Sequence, residues 1–115
     1  MSDVDDLIKK VTAFRDARDW RQFHPPKELA VALSIEVAEL LEHFRWKTKE
    51  EVAEYIKDHK EAIKDEYGDI LYLALLFADE LDINPVEAVE DKLKKIDKKY
   101  PVEKAKGKHA KYTEL

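Results

Sequence analysis

The sequence predicts an all-α fold, a four-helix-type bundle that oligomerises. Only two glycines occur in 115 residues and β-branched runs are few, so little in the chain breaks a helix or favours a strand. Apolar residues instead recur three and four apart over long stretches, the spacing of one helix face. Long apolar helices in so small a chain also leave more greasy surface than one copy can cover, which fits an oligomer. One domain is expected at this length, here residues 1–101, followed by a lysine-rich tail, 102–115.

A first helix is expected from about Val4 to Arg18, with Leu7, Ile8, Val11 and Phe14 as its apolar stripe. A loop from Asp19 to Pro26 follows. Pro25 and Pro26 end anything helical before them, and Pro26 suits a first helical position. The second helix runs from about Pro26 to Phe44. After a polar connection, Thr48 is placed to cap the third helix, with Glu51 as its capping-box partner. That helix begins near Lys49 and extends, with a break near Asp58 to Lys60, to Leu81. Asn84 caps a fourth helix with Pro85 at its first position and Val86, Val89, Leu93 and Ile96 as its stripe. Tyr100-Pro101 stops it. The tail, VEKAKGKHAKYTEL, is weakly patterned and is expected to be partly disordered or laid on a partner.

Composition removes several function classes. With no cysteine, disulfides, zinc–thiolate sites and thiol nucleophiles are excluded. A net charge of −5 argues against a sequence-independent nucleic-acid binder, which needs a basic stripe. The N-terminal MSDVDDLIKK lacks a signal-peptide apolar run, and the longest apolar segment, Ile70 to Ala78, is too short to cross a bilayer. A soluble cytoplasmic protein without membrane or nucleic-acid partners is the expectation.

The chemistry lies in two acidic pairs set in the most apolar stretches. Glu36 and Glu39 interrupt LAVALSIEVAELL; Glu66 and Asp69 interrupt EAIKDEYGDILYLALLFA. Both pairs have i, i+3 spacing, so each projects from nearly one side of a helix. On a helical wheel Leu29, Ala32, Leu33 and Leu40 fall within about 60° of Glu36, and Ala62, Ile63, Ile70, Leu73 and Phe77 within about 60° of Glu66. Each leading glutamate is thus central on an apolar face, and a shift of thirty residues superposes one pair on the other. Two antiparallel helices with these faces together would gather four carboxylates. Burying them without a partner is costly, so they call for a cation. Oxygen-only ligands favour a hard one, Mg2+ first and Mn2+ second. A di-iron bundle would want Glu-x-x-His on two helices, but those places hold Glu39 and Asp69. His43, four residues after Glu39, is a weak candidate ligand; such a His is more often a helix-end or core residue. The four acids are therefore candidate metal ligands and catalytic residues. A carboxylate not fully engaged by the cation could take a proton from an attacking water.

Aromatic and basic residues flank this helix. RDWRQFHPPKEL precedes it and FRWK follows, so Trp20, Phe23, His24 and Trp46 bracket the acids and could form a slot for a nucleobase. Lys27, Arg45, Lys47 and Lys92 are available for phosphates. Gly68, between the acids of the second pair, costs about 1 kcal/mol relative to alanine mid-helix. It reads as a close helix–helix approach.

The run DWRQFHPPKELAVALSIEVAELLEHFRWK, then DEYGDILY, then Lys92 followed by Tyr100-Pro101, resembles the MazG-like all-α nucleoside triphosphate pyrophosphohydrolases, closest to the dCTP pyrophosphatase branch. The resemblance runs from about Leu7 to Pro101. It implies hydrolysis of a (deoxy)nucleoside triphosphate to monophosphate and pyrophosphate, with Mg2+ on Glu36, Glu39, Glu66 and Asp69. It further implies that Trp20, His24 and Trp46 lie near base and sugar, and that a homodimer or homotetramer builds the site, so that Trp20 could serve a neighbouring subunit. Two positions depart from the family pattern: Ile96 stands where Asn is frequent four residues before Tyr-Pro, and Glu28 where Asn is common before the apolar run. Both bear on sugar or phosphate contacts. The rival reading from another class is a non-catalytic helical dimerisation or regulatory module whose acids hold a structural cation.

Overall fold

A computed structural model describes residues 2–115. Among them every regular element is helical: α1 (Asp3–Ala17), α2 (Pro26–Glu42), α3 (Lys49–Glu80), α4 (Pro85–Lys99) and α5 (Val102–Ala105), with 3-10 turns at Arg21–Phe23 and Tyr112–Glu114. The chain forms two compact units, one ending at Ile83 and one of Asn84–Leu115. No helix of the described residues is long and apolar enough to cross a membrane.

Local chemistry sets each helix end. Ser2 and Asp5 form a capping box at α1, the Ser2 hydroxyl accepting from the Asp5 N–H at 3.1 Å, which starts this helix one residue earlier than its apolar stripe suggests. Thr48 and Glu51 do the same for α3, at 3.2 and 3.1 Å. Two helices end on an aspartate in the left-handed region, Asp19 (φ 54) after α1 and Asp82 (φ 56) after α3. In each, the next N–H reaches back: Trp20 to the Arg15 carbonyl at 3.2 Å and Ile83 to the Ala78 carbonyl at 2.8 Å. These are Schellman caps. Aspartate tolerates that conformation, which is how the chain stops helices with so few glycines.

The expected break in α3 falls at His59, where φ is −123° and ψ 18°. The His59 Nδ1–H donates to the Tyr55 carbonyl at 2.9 Å, and the two rings stack at 3.8 Å. A side chain that takes the carbonyl one turn back competes with the helix ladder and bends it.

In the first unit α3 is the spine, with α1 and α2 both packed on it. The buried centre is Leu29 of α2 with Leu75, Leu76 and Ala78 of α3. Along α2, Ala32, Leu33, Glu36 and Leu40 are half-buried, whereas Val31, Ile35, Val37 and Leu41 on its other side are exposed. This helix is therefore apolar nearly all round.

Gly68 departs from its expected role. A Cβ built there meets nothing within 4 Å, so no neighbouring helix of this chain approaches closely. The residue lines a cavity of about 180 Å³ with Leu7 and Val11 of α1 and Leu71, Tyr72 and Leu75 of α3.

In the second unit the Asn84 side chain accepts from the Glu87 N–H at 3.1 Å and Pro85 occupies the first turn of α4. Its stripe, Val86, Val89, Leu93 and Ile96, is exposed. Where lysine content predicts partial disorder, residues 102–115 carry α5 and a 3-10 turn. Tyr112 meets Tyr100 edge-on at 6.0 Å, with the Lys99 ammonium 4.7 Å from its ring centre. Aromatic and cation–π contacts thus fold the tail back on the end of α4.

Candidate metal centre

The packing of α2 on α3 brings the two acidic pairs together. One carboxylate oxygen from each of Glu36, Glu39 and Glu66 lies within 4.8 Å of the others. Opposite oxygens on one Mg2+ stand about 4.2 Å apart, so small side-chain movements suffice for three to share an ion. Asp69 lies outside that triad but is near enough for its charge to act on Glu36. Glu36 and Glu66 are half-buried, Glu39 and Asp69 exposed. This is the wheel's expectation: leading residues central, trailing ones at the edge.

The electrostatics are those of crowded negative charge. Glu36 Oε2 and Glu66 Oε2 are buried without any hydrogen-bond partner. Buried polar atoms in folded proteins are almost always paired, and an unpaired buried carboxylate is costlier than a neutral group. Desolvation first, then the neighbouring carboxyls of Glu39, Glu66 and Asp69, push the Glu36 carboxyl up to about 7. Two orphaned oxygens and a crowded anionic donor set fit a hard divalent cation.

The flanking residues are placed differently from one another. Trp46 is 85% exposed with φ 67, a conformation that is an outlier for a bulky residue. The Arg45 guanidinium lies over its ring, at 4.6 Å. Trp20 is partly exposed and meets Phe14 edge-on at 5.9 Å; Phe14 in turn meets Tyr72, one turn beyond Asp69, at 6.3 Å. His24 is half-buried, and its Nδ1 is buried without a partner. The Lys47 ammonium sits 4.3 Å from the Tyr55 ring centre, beside Glu50, Glu51, Glu54 and Asp58 around a surface depression. Lys92 is an exposed residue of α4, in the second unit.

His43 takes the structural role expected of it: its Nδ1 pairs with the Tyr55 hydroxyl at 2.6 Å. Sequence reasoning missed Arg15, 3% exposed and the one buried charged side chain among the described residues. The signal was available. Arg15 stands seven residues after Ile8 and four after Val11, on the apolar stripe of α1.

Over residues 31–115 the chain matches the family model described as the MazG-like family. That span includes all four acids, Trp46, Lys47 and Lys92, while Trp20 and His24 precede it. Longer alignments take in nearly the whole chain. It is 35% identical over 114 residues to dCTP pyrophosphatase 1 of Bos taurus, covering 97% of this chain and 68% of that protein. Its identity to dCTP pyrophosphatase 1 of Homo sapiens is 33%, covering 97% and 67%. The fold superposes on the crystal structure of a pyrophosphatase from Archaeoglobus fulgidus DSM 4304 with a TM-score of 0.84 at 41% identity, over 88% of this chain and 94% of that one.

Proposed function

The chain belongs to the MazG-like family and is a nucleoside triphosphate pyrophosphohydrolase; from that premise we propose that Glu36, Glu39, Glu66 and Asp69 hold a divalent cation, Mg2+ before Mn2+, and that the substrate is a deoxynucleoside triphosphate, dCTP or a modified relative. The observation that carries the metal reading is the pair of buried, partnerless oxygens on Glu36 and Glu66. When bound, the cation polarises a phosphoryl group and makes an attacking water more acidic. The chain supplies the rest. Glu36 and Glu66 sit on two packed helices, so their carboxylates are preorganised. A carboxylate of the cluster takes the proton of the attacking water. Attack on phosphorus breaks the bond between the α- and β-phosphates, leaving monophosphate and pyrophosphate.

Trp20, His24 and Trp46 are the proposed contacts to base and sugar. An exposed ring held in a costly backbone conformation supports that role for Trp46, because such strain persists mainly at functional sites. Trp46→Gly is therefore expected to raise stability by about 1 kcal/mol by relieving the positive φ. The same change should raise KM about tenfold through lost stacking. Thermal melts and initial rates on one sample check both signs. Lys47 and Lys92 are the proposed phosphate contacts; a lysine's flexible stem allows Lys47 to leave the Tyr55 ring for a substrate.

We further propose a homodimer or homotetramer in the cytoplasm, beside the nucleotide pool. A helix that is apolar all round is normally buried, and Val31, Ile35, Val37 and Leu41 leave α2 uncovered in one copy. Light scattering that found only the 13.5 kDa chain would remove the oligomer. The activity test is an assay of common and modified NTPs and dNTPs with Mg2+, monophosphate and pyrophosphate resolved. Release of pyrophosphate from none of them would leave the rival, a helical interaction module with a structural cation.

A further inference from the structure

The segment between α1 and α2 carries Trp20, Phe23 and His24, yet Trp20 and Phe23 are exposed and His24 is only half-buried. It is tied down by charge. Arg15, at the end of α1, pairs through Nη1 with Asp79 Oδ2 at 3.2 Å. Arg21, inside the 3-10 turn, pairs through Nε with Glu80 Oε2 at 3.2 Å. The two acids are adjacent in the last turn of α3. Between these anchors the Trp20 N–H donates to the Arg15 carbonyl, and the Phe23 and His24 N–H groups close the turn on Trp20 and Arg21.

Stability alone gives little reason for this arrangement. A buried guanidinium is rarely better than an apolar side chain of similar volume, and Arg15 also needs Asp16, at 2.8 Å, to satisfy its Nε. The Arg21–Glu80 pair is solvent-facing, and such pairs add little to folding. What both pairs have in common is the segment they restrain. They bind it to the same helix that carries Glu66 and Asp69.

We propose that Arg15–Asp79 and Arg21–Glu80 form a double clamp that positions Trp20 and His24 for the nucleotide. All four are positioning residues: they hold the aromatic turn in register with α3 before substrate arrives, so that binding does not have to order it. The clamp rests on the reading that Trp20 and His24 contact the nucleotide.

The experiment compares Arg21→Ala, Glu80→Gln, the charge-reversed pair Arg21→Glu/Glu80→Arg and Arg15→Met, which keeps the buried volume, with Trp20→Ala as reference. KM, kcat and melting temperature are measured with Trp46 in place, and acrylamide quenching of Trp20 fluorescence in a Trp46→Phe background. Arg21→Ala and Glu80→Gln are expected to raise KM about fivefold with kcat within about twofold, a loss of binding and not of chemistry. Quenching of Trp20 should increase, while the melting temperature falls by less than about 5 °C, as for a surface pair. The charge-reversed pair should recover most of the KM and the quenching. Arg15→Met should raise KM likewise while staying folded. The clamp is overturned if Trp20→Ala raises KM but Arg21→Ala and Glu80→Gln change neither KM nor quenching, or if they lower only the melting temperature. If Trp20→Ala itself leaves KM unchanged, the assignment of the nucleotide contacts fails first and the clamp's function goes with it.

Discussion

Glu36→Gln lowers kcat by about a hundredfold to a thousandfold, the scale of removing one preorganised electrostatic group from a reaction centre, and at the same time raises the melting temperature of the metal-free protein. The two signs have one cause. Glu36 is half-buried, has one oxygen without a partner, and faces the charges of Glu39, Glu66 and Asp69. Without a cation that carboxylate is a liability, and a neutral amide of the same shape removes the repulsion. A rise of about 5 °C corresponds to roughly 1 kcal/mol in a domain of this size. Glu66→Gln should behave alike, since its Oε2 is also buried and unpartnered. Steady-state rates and melts in EDTA measure both effects. A variant that lost activity by unfolding, with a lower melting temperature in EDTA, would contradict the assignment.

The second large effect is that Mg2+ stabilises the protein in a pH-dependent way. The Glu36 carboxyl is pushed up to about 7, from an ordinary value of 4.5, by desolvation first and by its acidic neighbours second. Between those values the metal-free folded state holds a proton that the unfolded chain releases. Stability without metal therefore falls as pH rises from 4.5 towards 7 and levels off above it. A cation must displace that proton, so its benefit grows over the same window. Mg2+ at a hundred times its dissociation constant contributes about 2.7 kcal/mol. At pH 8 that is a shift on the order of 10 °C, and most of it should vanish at pH 5.5. Melts with Mg2+ and with EDTA at the two pH values check this. An equal shift at both, or the same shift in Glu36→Gln as in wild type, would place the cation elsewhere, and no shift in wild type at either pH would remove it.

Much of this molecule was legible before any coordinates. Thr48 with Glu51, and Asn84 with the Glu87 N–H, mark helix starts through bonds that close within one turn, and Pro26 and Pro85 mark them through the ring's fixed φ, so short stretches of sequence suffice to find them. The break near His59 was legible for the same reason. The apolar faces of α2 and α3 could be read from spacing alone, and with them the central positions of Glu36 and Glu66. Arg15 was overlooked although its register put it on the stripe of α1, because a charge there reads as solvated until its partner is known. Gly68 suggests a close approach, but how near another helix comes depends on how distant segments pack, and here the residue lines a cavity together with Leu7 and Val11.

By itself, then, the sequence determined α1 to α4 to within a residue or two at their ends, and the apolar faces of α2 and α3 on which Glu36 and Glu66 lie. Periodicity and capping are local properties, set by residues within a turn or two of one another. The tertiary structure alone decided that α2 and α3 bring three carboxylate oxygens within 4.8 Å, that two are left buried without partners, and that Asp79 and Glu80 reach back to Arg15 and Arg21. Those outcomes depend on how distant segments meet. Desolvation and charge pairing act through space, and no spacing within one helix encodes them.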